Sequence, residues 1–488
     1  MTAPQKAPAE GCQLVWFRSD LRTRDNRALC AAMQAGPTIA LYLITPAQWR
    51  EHHDAPVKID FWLRNIQLLQ QELAQLNIPL LIRDVGYWKE APDLLAKICR
   101  EQRVHRVHVN EEYGVNEARR DEEVAGRLRD EGIHFQCHLD QLLFAPGSIR
   151  TRSGDYFQVF SQFRRVCYQR LHDSIPPPQP APAAQAPLAL QSDRGPSTMD
   201  MLEQPSGRIR QLWPAGEEAA LDRLAEFADQ RLEDYDRRRD FPALNGTSQL
   251  SPYLAAGVLS PRQCLNAALR INRGELDSGN PGAISWINEL LWREFYKHIL
   301  VGFPRVSRHR AFRSATESVP WRHAPEELAT WQEGRTGFPL IDAAMRQLRA
   351  TGWMNNRLRM VVAMFLTKNL LIDWRLGERY FMEQLIDGDL AANNGGWQWS
   401  ASTGTDAVPW FRLFNPVTQS QRFDPEGRFI REWVPELAHL DSRSIHMPAG
   451  GADLFNETAY PAPMVDLPAS RKRALDAFRG LARGGGSA

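Results

Sequence analysis

The chain has 488 residues, a formal net charge of +1, 43% hydrophobic residues and 24% charged ones, an ordinary globular balance long enough for two or three domains. That balance excludes a histone-like polycation and a disordered chain, but not a local basic groove. Six cysteines without a C-x-x-C pair argue against a zinc or iron–sulfur site and against a secreted disulfide scaffold.

In the first 140 or so residues, short apolar runs alternate with amphipathic stretches. Strands are predicted at 13–17, 38–44, 79–85, 106–110 and 133–138, with helical stretches at 58–76 and 115–131 between them. This alternation predicts an α/β domain over 13–143, built on a five-stranded parallel doubly wound sheet whose strand-end loops receive ligands. No G-x-G-x-x-G and no G-x-x-x-x-G-K-[ST] follows a strand, so neither an ordinary dinucleotide site nor a P-loop is supported. Residues 144–214 read as an interdomain linker, with prolines crowded into 176–187 that fix φ and remove backbone donors. From 215 to 478 helical patterns dominate, predicting an all-α domain, and RGGGSA ends the chain as a flexible tail. The N-terminal MTAPQKAPAEG lacks the apolar core of a signal peptide and no apolar run is long enough for a membrane span, which reads as a cytoplasmic protein. Four of the 15 tryptophans precede residue 200 and eleven follow it, so aromatic chemistry is expected in the second half.

Three segments of that half combine residues that a dry core accepts poorly. In AISWINELLWREFYKH, Trp286, Glu289, Trp292 and Arg293 fall on one helical face, either as a core stripe rimmed by an ion pair or as a site wall. In TGWMNNRLRM, Trp353, Asn356 and Arg359 or Met360 share a face, and a buried Asn356 would need a polar partner or ligand. DGDLAANNGGWQWSASTGTD brings Asp387, Asp389, Asn393, two glycines, Trp397 and Trp399 together, and no terminal glutamate completes a calcium loop. Upstream, Thr247, Ser248 and Ser251 precede a helix, where hydroxyls serve as caps or, with the amides, receive a phosphate. Seven Lys and Arg stand against three Asp and Glu between Asp342 and Arg379, and Arg305, Arg308, Arg310 and Arg313 form a further cluster. Such a surplus suits either a solvated face or a nucleic-acid backbone.

FRSDLRTRDNRAL, TGWMNNRLRM, LIDWRLGERYFMEQLIDGDLAANNGGWQW and STGTDAVPWFRLFNP together resemble the cryptochrome/photolyase family, over about residues 13 to 440. The resemblance is nearest to bacterial class I cyclobutane pyrimidine dimer photolyases. It implies FAD in the helical domain, at Tyr235, Thr247, Ser248, Gln249, Leu250, Ser251, Trp286, Arg293, Trp353, Arg359, Asp387, Asp389 and Asn393, with Asn393 as the partner of flavin N5. It further implies light-driven electron transfer from reduced FAD that splits cyclobutane dimers in UV-damaged DNA. Glu289 and Asn356 would touch the dimer's polar edges, Glu289 best if burial kept it protonated. Trp292, Trp399 and Met360 would wall the dimer, and Arg239, Arg357 and Arg412 would meet phosphates. Trp397, Trp374 and Trp321 match the family's photoreduction chain. His52, Asn116 and Glu117 match ligands of a 5,10-methenyltetrahydrofolate antenna, and Arg308 stands where the family's best-known pattern has lysine. The family's histidines for six-four photoproducts are replaced by Asn356 and Met360, and Trp399 disfavours the DASH subgroup. The resemblance implies a monomer with no obligate protein partner, associated with the nucleoid when bound to DNA. A cryptochrome-type photoreceptor without repair activity is the alternative, and a flavin-free helical nucleic-acid-binding protein a third reading.

Overall fold

A computed structural model describes residues 11–195, 205–448 and 460–484. Most of the N-terminal MTAPQKAPAEG and of the RGGGSA tail lies outside these residues.

All five predicted strands form: β1 (Cys12–Phe17), β2 (Thr38–Ile44), β3 (Leu80–Asp84), β4 (Val104–Asn110) and β5 (His134–His138). They pair in parallel in the order β3-β2-β1-β4-β5. Every residue of β2 is buried, as expected of a strand covered by helices on both faces. The order reverses between β1 and β4. The C-terminal ends of β1 and β2 and the residues after β4 open there on a cleft of about 550 Å³, bounded on its far side by the helical domain. The predicted helices appear as Pro56–Gln75 and Val115–Arg129.

The proline-rich stretch is extended, as expected, but it is anchored rather than free. Asp193 N donates to the Leu80 carbonyl at 2.9 Å and Gln185 N to Leu76 at 3.1 Å. The Gln185 side chain adds bonds to Thr38 and Asn77. The linker thus covers the edge beside β3, where unpaired backbone groups would otherwise stand open. Residues 144–214 also contain a helix, Phe160–Asp173, that packs on the helical domain through Phe160 and Trp292, stacked 3.7 Å apart.

The Pro281–Gly302 helix runs through the helical domain, capped by the Asn280 side chain with proline in its first turn. Charged groups couple the two domains. Arg262 bonds Asp25 and Asp140, each at 2.8 Å, and Arg22 bonds Asp140 at 2.7 Å, all buried. Glu294 accepts from the amides of Leu143 and Phe144. Removing one partner from such a buried cluster costs about 3–5 kcal/mol, so the cleft between the domains has fixed walls.

Candidate active site

The stripe on the Pro281–Gly302 helix forms as predicted, but it is not a dry core. Trp286 is buried with its ring 5.1 Å from Phe227. One turn on, Glu289 accepts from Arg239 Nη1 at 2.5 Å, and the same nitrogen reaches Ser285 Oγ. The Glu289 side chain is 28% exposed. Its setting is a partly exposed ion pair and not an apolar enclosure. Arg293 donates to the Gln141 carbonyl across the domain boundary, a role its expected cofactor contact did not foresee.

The two asparagines of TGWMNNRLRM have opposite fates. Asn355 is the buried one: its oxygen caps Arg357 N at 2.8 Å and its amide donates to the Arg239 carbonyl at 2.9 Å. Asn356 is exposed, and its side chain makes no hydrogen bond within the described residues. The satisfied residue therefore positions the loop, and the free amide faces solvent. Met360 is half-buried, as is Trp399, which has no ring neighbour among the described residues. Arg357 and Arg239, expected at phosphates, already pair with Asp240 and Glu289. Arg412 is exposed beside Phe411, itself 56% exposed. The basic surplus of 342–379 is largely spent internally: Arg346 pairs with Glu436 and Arg375 with Glu317, while Lys368 is buried against Ser402 Oγ.

The expected FAD residues lie on several elements and make the following contacts. Thr247, Ser248 and Gln249 lead into the short helix Ser251–Ala255, with Gln249 in the left-handed region at φ 52. Ser251 Oγ accepts from Trp353 Nε1 at 3.2 Å, and Leu250 is buried beneath. Tyr235 is buried with Arg239 over its ring at 5.4 Å. Arg359 Nη2 reaches both oxygens of Asp387, at 3.0 and 2.8 Å. Asp389 caps the Leu390–Ala401 helix and pairs with Lys297 at 2.8 Å. Burial alone would raise the Asp389 pKa, but Lys297 and Arg293 outweigh it and hold the carboxyl well below the usual range.

Asn393 supplies the test of fit. Its Nδ2 donates to the main-chain carbonyl of Glu378 at 2.9 Å. A carbonyl can only accept, so the amide's orientation is chemically determined, and Oδ1 is left as an acceptor without a partner. An acceptor fixed in this way suits a flavin whose N5 carries hydrogen, and the hydroxyls, guanidinium and carboxylates of the other expected residues suit the rest of FAD.

Trp397 and Trp374 are buried in one apolar cluster, against which Trp321 packs partly exposed. Gly377, one turn after Trp374, lies against the Trp397 ring so closely that a Cβ would overlap it. No ring contact links the three expected relay residues to one another among the described residues. The indole in contact with Trp397 is Trp331, at 6.1 Å, which sequence reasoning did not single out.

The interdomain cleft gathers His52, Asn116, Glu117 and Arg308. His52 Nε2 lies 3.1 Å from Asn116 Nδ2. Burial, helped by Glu112, raises the Glu117 pKa. All four tryptophans of the first half, Trp16, Trp49, Trp62 and Trp88, line the same cleft, a gathering that their wide spacing in the sequence did not foretell. The Glu117 carboxylate folds over Gly114, where a Cβ would overlap it. Gly114→Ala is therefore expected to displace Glu117 and weaken ligand binding in the cleft by about tenfold, the worth of one hydrogen bond, as read by titrating purified protein with a reduced folate. Unchanged affinity would show that Glu117 is not a ligand.

Two family models match the chain: "DNA photolyase" over residues 13–183 and "FAD binding domain of DNA photolyase" over 286–480. The deoxyribodipyrimidine photo-lyase of Salmonella typhimurium is 45% identical over 474 residues, covering 96% of this chain and 99% of that protein. The chain belongs to the DNA photolyase family. Its cofactor is FAD and its activity light-driven repair of DNA, as the resemblance to class I enzymes implied. Among solved structures, a class III photolyase from Agrobacterium tumefaciens superimposes with a TM-score of 0.83 at 34% identity, covering 99% of both chains. A Synechocystis cryptochrome reaches the same TM-score at 29% identity, covering 97% of this chain and all of that one. The fold is thus common to photolyases and cryptochromes, and identity over the full length favours repair over the photoreceptor alternative.

Proposed function

We propose that this photolyase splits cyclobutane pyrimidine dimers at a site whose floor is the Asn393 side of the FAD cavity and whose rim carries Glu289, Asn356, Trp292, Met360 and Trp399. The fixed orientation of Asn393 carries this reading, because an acceptor-only oxygen favours a flavin protonated at N5, the form that repair needs. Bound and reduced, FAD supplies a light-excited electron. Arg359, with Asp387, sets a positive charge near the anionic ring. The hydroxyls of Thr247, Ser248 and Ser251 receive the pyrophosphate, Gln249, Leu250 and Tyr235 shape that end, and Trp286 and Trp353 supply flat walls.

On the substrate side, charge arriving on the dimer accumulates at its carbonyl oxygens, where a positioned donor lowers the barrier. The unpaired amide of Asn356 is such a donor. Glu289 accepts from a ring N–H, and Arg239 holds it in place while adding positive potential. Trp399 offers a free face, whereas one face of Trp292 is already against Phe160. Extrusion onto these residues is easier for a damaged, badly stacked pair. Arg412 meets a flanking phosphate directly, and Arg357 and Arg239 contribute the field of paired guanidiniums. Trp397, Trp374 and Trp321 return an oxidised cofactor to its working state. His52, Asn116 and Glu117, with Arg308, hold an antenna of the 5,10-methenyltetrahydrofolate kind. The reading includes action as a monomer without an obligate protein partner. The reading places the work on nucleoid DNA in the cytoplasm; no helix of the described residues is long and apolar enough to cross a membrane.

A defined dimer-containing oligonucleotide, incubated in light and in darkness, tests the reading: dimers are expected to disappear only in light. Absorption without repair would instead indicate a photoreceptor. Glu289→Ala is expected to lower the repair yield several-fold while FAD stays bound, since the carboxylate lies at the rim and not in the cofactor cradle. An unchanged yield would remove Glu289 from the mechanism.

A further inference from the structure

Lys368 is an ionisable side chain that neither FAD binding nor dimer splitting uses. It sits in a π turn, Phe365–Asn369, an uncommon element concentrated at functional sites, and it is 0% exposed. Its Nζ lies 2.8 Å from Ser402 Oγ and 3.8 Å from the centre of the Phe478 ring. Phe478 belongs to the C-terminal helix Leu467–Gly484, which is held on the π turn by Asn369 Nδ2 donating to Ser470 Oγ at 3.0 Å. The same ring meets Trp321 edge-on with centroids 6.1 Å apart, so the amine and the indole stand within about 10 Å of each other. Trp321 Nε1 is buried without a hydrogen-bond partner. An oxidised indole ordinarily sheds the proton on that nitrogen, and with no acceptor in reach the positive charge stays on the ring.

Like charges about 10 Å apart, at an effective permittivity of about 20, disfavour each other by about tenfold in an equilibrium. We propose that Lys368 sets how easily Trp321 is oxidised: a neutral amine lets positive charge rest on the indole, and a protonated one repels it. The step moves one electron. Trp321 loses it, the flavin gains it by way of Trp374 and Trp397, and no bond is made or broken. Lys368 is thus a positioning residue whose effect passes through Trp321. This inference rests on the reading of Trp321 as the outer station of the photoreduction chain. The charged groups on the elements packed around the π turn are engaged elsewhere. Arg473, the inward-turned cation of the C-terminal helix, bonds the Asn369 carbonyl, and Arg322 pairs with Glu327. Arg375 pairs with Glu317, Glu378 with His309, and Arg359 and Arg357 with Asp387 and Asp240. The Leu390–Ala401 helix carries no charged side chain. Burial alone acts on Lys368 and pushes its pKa down to about 7, so the amine is neutral above that value and charged below it.

The test uses full-length protein with oxidised FAD and a light flash, and reads the yield of surviving reduced flavin against pH. The wild-type yield is expected to fall by about tenfold as pH is lowered through about 7. Lys368→Met removes the amine at similar length and is expected to hold the high yield at every pH. Lys368→Arg keeps a charge throughout and is expected to stay low. A yield in Lys368→Met that still follows the wild-type pH curve would overturn the proposal. Trp321→Phe separates the two levels: photoreduction lost there, with Lys368→Met tracking the wild type, rejects only the role of Lys368. Photoreduction intact in Trp321→Phe rejects the outer station itself. Thermal unfolding reports on the amine independently of electron transfer. A lysine that is neutral when folded and charged when unfolded costs stability below its ordinary pKa, so relative to Lys368→Met the wild-type melting temperature should rise with pH from about 7 up to that ordinary value. A difference that does not change with pH would show that Lys368 keeps its proton, and the proposal would fail.

Discussion

Arg359→Ala is expected to purify without yellow or blue colour. Arg359 contacts both oxygens of Asp387, whose side chain is only 3% exposed, and it also holds the Met354 carbonyl at 2.8 Å. Truncation removes the positive charge proposed to face the reduced ring and leaves a nearly buried carboxylate without its partner. For a fully buried pair the second effect costs about 3–5 kcal/mol, and the 25% exposure of Arg359 places it at or below the lower end. The protein is therefore expected to remain folded by circular dichroism, with a lowered melting temperature, while its flavin-to-protein absorbance ratio falls close to zero. Arg359→Lys keeps the charge but not the planar fork and is expected to retain partial FAD. Full occupancy in Arg359→Ala would show that the ring lies elsewhere.

Gly377→Ala should damage photoreduction without substituting a residue of the expected relay. The added methyl would overlap the Trp397 ring and press on Leu366 Cδ2 at 2.7 Å, so the indole must move. Overpacking of this kind costs about 1–3 kcal/mol in stability, and a displacement near 1 Å in a reacting group can cost about 10²-fold in rate. Light-driven reduction of bound oxidised FAD is expected to slow by about that factor. Repair by chemically reduced protein should persist, because Trp397 does not hold the dimer. Trp321→Phe is expected to give the same separation from the outer end of the chain. Photoreduction intact in both variants would redirect the electron path, with Trp331, the indole touching Trp397, as the first alternative.

Much of the architecture was legible before any coordinates. Strand positions follow from apolar runs bounded by turns, and the five predicted segments coincide with the observed ones to within a residue or two. The Trp286–Glu289–Arg293 stripe also follows from helical period alone. The site was less legible where partners come from distant elements. Asn355 and Asn356 are adjacent and identical in type, so only the Arg239 carbonyl, supplied by another segment, decides which is consumed and which stays free. The linker's prolines foretold extension but not the bonds to Thr38, Leu76, Asn77 and Leu80 that lay it along the sheet.

By itself, the sequence determined the two-domain division, the parallel sheet, the helical cofactor domain and the set of chemical groups available to it, because period, composition and local motif are properties of neighbouring residues. Only the tertiary structure decided that Glu289 is paired to Arg239, that the first-half tryptophans face the interdomain cleft, and that Glu378 orients Asn393. Those are relations between residues far apart in the chain, and they exist only once packing has brought their donors and acceptors within hydrogen-bonding distance.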